Sequence, residues 1–99
     1  MIGKIIKSQT QNRVTTIVIQ DETNPDNILT LTNLAEATPI SLIINSTGQI
    51  VRKMTCNLVS ASNDNSEKRY EAEIDVTPYP EIGKDFNTTE YIGLRVRIL

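Results

Sequence analysis

Short segments that alternate apolar and polar residues, each closed by a turn-forming cluster, recur along the whole chain, and a helical period is nearly absent. About a third of the residues are Ile, Val or Thr, the β-branched set that packs well on a pleated, half-buried surface. This pattern restricts the chain to an all-β module. At 99 residues it makes one domain, spanning 1–99, with no room for a second core.

The alternation predicts about seven strands. A short strand opens at 2–7. The next, 13–20, sets Val14, Thr16 and Val18 on one face and Thr15, Ile17 and Ile19 on the other, and so reads as a central strand. Asp21-Glu22-Thr23-Asn24-Pro25-Asp26-Asn27 is turn chemistry. A strand over 28–32 then points Leu29 and Leu31 inward, and 33–39 is a link in which Pro39 stops a possible helical turn at Ala35-Glu36-Ala37.

A hairpin is expected over 40–59. Ile40, Leu42 and Ile44 share a face, Ser46-Thr47-Gly48-Gln49 turns the chain, and Ile50, Met54, Cys56 and Leu58 return inward. The polar stretch 60–68 reads as an exposed loop. In 69–76, Tyr70, Ala72, Ile74 and Val76 point in while Glu71, Glu73 and Asp75 point out. A long connection, 77–90, carries Pro78, Pro80, Gly83 and a core-plugging Phe86. The closing strand, 91–99, sets Ile92, Leu94, Val96 and Ile98 inward and Arg95 and Arg97 outward. Strands at roughly 8–12-residue spacing are those of an immunoglobulin-like antiparallel β-sandwich, with a small partly open β-barrel as the alternative.

Composition narrows the chemistry. There is no histidine, which removes Ser-His-Asp and Cys-His nucleophile systems, histidine bases and most zinc sites. The net charge is −2 and the pI near 5.0; neither gives an electrostatic case for nucleic acid or anionic lipid. Cys56 stands alone and cannot form an internal disulfide, which favours folding in a reducing cytosol. No apolar run is long enough to span a bilayer, and no secretory signal opens the chain.

Each remaining feature has a plain reading. Cys56, between Met54 and Leu58 at period two, is a small core hydrophobe. The stripe Glu71, Glu73, Asp75 places carboxylates about 6.6 Å apart along a strand, near a glycosidase separation. It is better explained as a solvated face paired across the sheet with Arg95 and Arg97. The oxygen-rich run 21–27 lacks the spacing of a calcium loop. Asn45-Ser46-Thr47 and Asn87-Thr88-Thr89 match the N-glycosylation pattern by chance. Tyr79, between two prolines, is the exposed aromatic suited to a contact. The expectation is no enzyme and no cofactor or metal.

Residues 12–59 resemble the N-terminal module of siphophage upper baseplate proteins. That family shows a strand, an Asp-bearing turn, a Leu-Thr segment, a strand ending in a Gly turn, and a returning strand. The matching pieces here are 14–21, Leu29-Thr30-Leu31-Thr32, 40–44, Gly48 and Ile50-Val51, and Tyr91-Ile92-Gly93-Leu94 resembles the closing strand. Where the family has Gly soon after Leu-Thr, this chain has Asn33-Leu34 and extra residues before Pro39. The resemblance implies a non-catalytic assembly module of a phage or prophage tail. It would be made in the bacterial cytoplasm and then sit in the virion, partnered by itself or by other virion structural proteins, without nucleic acid or membrane insertion. The alternative is a glycan- or peptide-binding module acting through loops 60–68 and 77–90. Because the chain ends on Ile98-Leu99, the last strand is expected at a subunit contact or leading into a further domain. Tyr79, Arg95, Arg97 and Leu99 are the candidate partner contacts.

Overall fold

A computed structural model of the chain describes residues 1–12, 14–34, 41–58, 69–78 and 91–99, with backbone only at 33, 34 and 41–43. It is all-β and antiparallel, with no helix among the described residues. The strands are β1 (Ile2–Gln11), β2 (Val14–Asp21), β3 (Ile28–Leu34), β4 (Ser41–Ile44), β5 (Ile50–Leu58), β6 (Arg69–Asp75) and β7 (Arg95–Ile98). Their hydrogen-bonded order is β3-β2-β1-β7-β6-β5-β4. β3 also pairs with β5, through Leu31↔Leu58 and Thr32↔Asn57, so six strands form a ring and β4 lies outside it on β5.

The core is the inward parity of these strands. Ile5 of β1, Ile17 and Ile19 of β2, Leu31 of β3, Met54 and Cys56 of β5, Ala72 and Ile74 of β6, and Val96 and Ile98 of β7 form one buried cluster with Val76, Tyr91 and Leu94. β2 is central, between β1 and β3, as the sequence reading expects, and of its two faces the structure buries Thr15, Ile17 and Ile19. β6 likewise buries Ala72 and Ile74, and Val76 just beyond it, with Tyr70 packed against the cluster from its rim.

Side-chain hydrogen bonds define the turns. Asp21 Oδ1 accepts from the Thr23 amide and hydroxyl at 2.9 Å each, and Asp21 Oδ2 accepts from Asn27 Nδ2. In the β4–β5 hairpin, Asn45 Oδ1 accepts from the Thr47 amide, the Thr47 hydroxyl and the Gln49 amide. Gly48 takes a φ of 81° there, the left-handed region a glycine enters without steric penalty.

Several expectations need correction. The opening strand runs to Gln11, because the β1–β2 ladder continues to Gln11↔Val14 past a register shift between Ile5 and Lys7. Asn33 and Leu34 extend β3 instead of opening a link. Ile92 points outward, 55 % exposed, because Gly93 at φ 90° interrupts the alternation; Tyr91 takes the buried place and the strand begins at Arg95. Ile44, at the strand end, is 75 % exposed. Most consequentially, the closing strand, expected as an exposed edge guarded by Arg95 and Arg97, is not an edge. It pairs with β1 on one side and β6 on the other. Residues 35–40, the 60–68 loop, Tyr79, Phe86 and Asn87 lie outside the described residues.

Candidate functional site

The outer face of β1, β7, β6 and β5 holds a shallow groove of about 270 Å³. Parity puts its side chains there. With Val96 and Ile98 in the core, Arg95 and Arg97 must face out, and Ala72 and Ile74 do the same for Glu71, Glu73 and Asp75. The ladder sets Ile2 opposite Arg97, Arg97 opposite Glu73, and Glu73 opposite Lys53, giving one row across four strands. A neighbouring row holds Lys4 opposite Arg95, and Val51 opposite Asp75. The β4–β5 turn forms one wall, through Asn45, Ser46, Thr47 and Gln49.

The charges around this groove are unevenly engaged. Arg95 grips Glu22 in a two-pronged pair, Nε to Oε1 at 2.9 Å and Nη2 to Oε2 at 3.0 Å. It does not pair with the acidic stripe as expected; the turn after β2 brings Glu22 to it, and the Glu22 amide is anchored on the Ile2 carbonyl. Lys53 and Glu71 form a loose ion pair at 3.9 Å. Asp75 accepts from Thr77 with one oxygen and from Gln49 Nε2 with the other. Glu73 and Arg97 face each other in register, yet neither makes a hydrogen bond or ion pair with any described residue. Of the other expected contacts, Leu99 is 52 % exposed, its amide donating to the Glu71 carbonyl.

Cys56 is buried, and its thiol donates weakly to the Met54 carbonyl at 3.9 Å. Burial pushes that thiol up to about 12, against a smaller opposing pull from the Arg52 charge. The Thr23 amide, then the Asn27 side chain and the Thr23 hydroxyl, hold the Asp21 carboxyl below its ordinary value. Among the described residues no three of Cys, Asp and Glu gather into a metal-binding set. None of them forms a helix long and apolar enough to cross a membrane.

Arg52 is the residue that sequence reasoning passed over. It is fully buried, and Nη1 donates to the Tyr91 hydroxyl. The signal was present, since position 52 shares its parity with Ile50, Met54, Cys56 and Leu58, the face read as inward. A cationic residue in that frame is either at a strand end or held in the core by polar partners.

No family model, no curated protein and no solved structure matches this chain.

Proposed function

We propose that the chain is a non-catalytic assembly module of a phage or prophage tail or baseplate particle, built as a small, partly open β-barrel. The barrel reading is favoured over an immunoglobulin-like sandwich because the seven described strands belong to one hydrogen-bonded order that β3 closes by also pairing with β5. The segment that resembles the baseplate module, 12–59, spans β2 to β5 with the Asp21 and Gly48 turns between them.

The observation that carries the functional reading is the outer face of β1, β7, β6 and β5. It presents both signs of charge in registered rows, with Ile2 and Leu99 exposed beside them. Such a mixed, open surface suits a protein partner more than a small molecule, which generally requires a deeper and more apolar pocket. Partners are then other virion structural proteins or further copies, with the chain made in the bacterial cytoplasm and carried in the virion.

The test is mass spectrometry of density-purified particles induced from the source strain, read with the genes flanking the coding sequence. The chain is expected in tail-containing fractions, encoded among tail genes. Its absence from every particle fraction, with no tail gene on either side, overturns the proposal.

A further inference from the structure

We propose that two copies of this chain associate face to face through β6 and β7, across a two-fold axis parallel to those strands. The inference deepens the assembly reading and uses the symmetry of a single pair. Glu73 of β6 and Arg97 of β7 are directly opposite in the ladder, both on the outer face, and neither is engaged by a described residue. The stripes around them have opposite sign, with Glu71, Glu73 and Asp75 on one strand and Arg95 and Arg97 on the next.

A two-fold axis along the strands, midway between β6 and β7, preserves height along the strand and exchanges left for right. It therefore lays β6 of one copy over β7 of the other. Because Glu73 and Arg97 stand at the same height, each meets its opposite in the second copy, which gives two identical ion pairs per dimer. This reciprocal pattern, i to j and j to i, is what an isologous interface requires. The same operation carries Lys53 over Ile2, since both lie in that row. The aliphatic stem of the lysine then covers an isoleucine left 42 % exposed in the single chain. Asp75 and Arg95 contribute less, because Gln49 and Thr77 hold one and Glu22 the other. A contact of this kind forms quickly and weakens as salt rises.

Sedimentation velocity on the full chain across a concentration series tests it, at low and at high salt. A dimer that dissociates with added salt is expected. Glu73→Arg and Arg97→Glu should each weaken it by at least about tenfold when alone, a change of about 1.4 kcal/mol. Each variant alone would face like charge with like. Mixed in equal amounts, the two variants should dimerise with each other, because every contact is again between opposite charges. Pairing within one chain cannot produce that rescue.

Circular dichroism confirms the fold of each variant. Should either reversal fail to fold, Glu73→Gln and Arg97→Gln replace them, and both must weaken the dimer. A native chain that stays monomeric at every concentration, a dimer indifferent to these changes, or mixing without rescue each overturns the inference. A monomeric chain recovered in tail particles overturns this contact while leaving the assembly reading intact.

Discussion

Arg52 Nη1 donates a hydrogen bond to the Tyr91 hydroxyl in the interior, joining β5 to the turn that enters β7 across 39 positions of sequence. Both side chains are fully buried. The guanidinium carbon lies 5.4 Å from the Tyr91 ring centroid. Burying a cation is costly unless acceptors meet its donors, so the phenol oxygen, which takes the Nη1 proton, is part of what makes position 52 tolerable. Tyr91→Phe removes that acceptor while keeping the buried ring. The expected loss is about 1.5–3 kcal/mol, the range for a hydrogen bond to a charged group. Arg52→Met, which removes the charge while keeping much of the volume, should cost less. Urea unfolding of both variants checks the order; a negligible effect of Tyr91→Phe would contradict it.

Gly3 is set by contact, not by backbone angle. A Cβ there would lie 2.4 Å from the Gln20 carbonyl oxygen and 2.8 Å from Ile19 Cγ2. The first is main chain of the paired strand and cannot swing aside. Gly3→Ala should therefore destabilise by about 1–3 kcal/mol through overpacking. Gly93→Ala is the contrasting case, with open space around the position and a φ of 90°. Its cost should come from backbone conformation alone, about 1–2 kcal/mol. Only the Gly3 variant should perturb the amide resonances of Ile19 and Gln20 in a heteronuclear spectrum.

Asn45 organises the β4–β5 turn and with it the wall of the groove. Its Oδ1 accepts three hydrogen bonds, two of them from backbone amides. Asn45→Ala should cost about 1–2 kcal/mol. Asn45→Asp keeps the acceptor and loses only the Nδ2 bond to Gln49 Oε1, so it should be milder. Equal losses in thermal melts of the two variants would show that the oxygen is not what matters.

The Cys56 thiol predicts a pH dependence. Its ordinary value is 9.0 and burial raises it to about 12 in the folded chain. Between those values the unfolded chain has lost the proton that the folded chain still holds. Stability is thus unaffected by this group below pH 9.0 and falls as pH rises from there toward 12. Cys56→Ala should flatten that alkaline decline. In the native state, labelling by a thiol reagent should proceed only as fast as the chain opens, far slower than in denaturant.

The Asp21 carboxyl acts in the opposite sense. Its value is held below 3.8 by the Thr23 amide first and the Asn27 side chain next. Its contribution to the 21–27 turn is present above 3.8 and is lost as pH falls through the lower folded value. Asp21→Asn should remove that part of the acid sensitivity, measured as the shift of the unfolding midpoint between pH 5 and pH 2.

The strand positions were legible because they rest on local rules. Period-two alternation located the cores of β2 and β6, and Asp21, Asn24 and Pro25 marked one turn while Gly48 marked another. Cys56 could be assigned inward from its two apolar neighbours at the same parity. Arg52 shares that parity and was passed over, because parity names a face but not the partner that makes a charge tolerable on it. Where the period broke, at Gly93, the alternation carried Ile92 to the wrong side.

By itself the sequence determined an antiparallel β architecture, the approximate strand boundaries and the outward stripes of Glu71, Glu73, Asp75 and of Arg95, Arg97. All of these follow from side-chain spacing over fewer than ten residues. Tertiary structure alone decided the strand order. It placed β7 between β1 and β6, brought Glu22 to Arg95 across 73 positions, set Tyr91 against Arg52 and joined β3 to β5. The reason is physical. Alternation tells a strand which side to bury, while neighbours are selected by how all inward faces pack at once against the entropy of closing the loops between them.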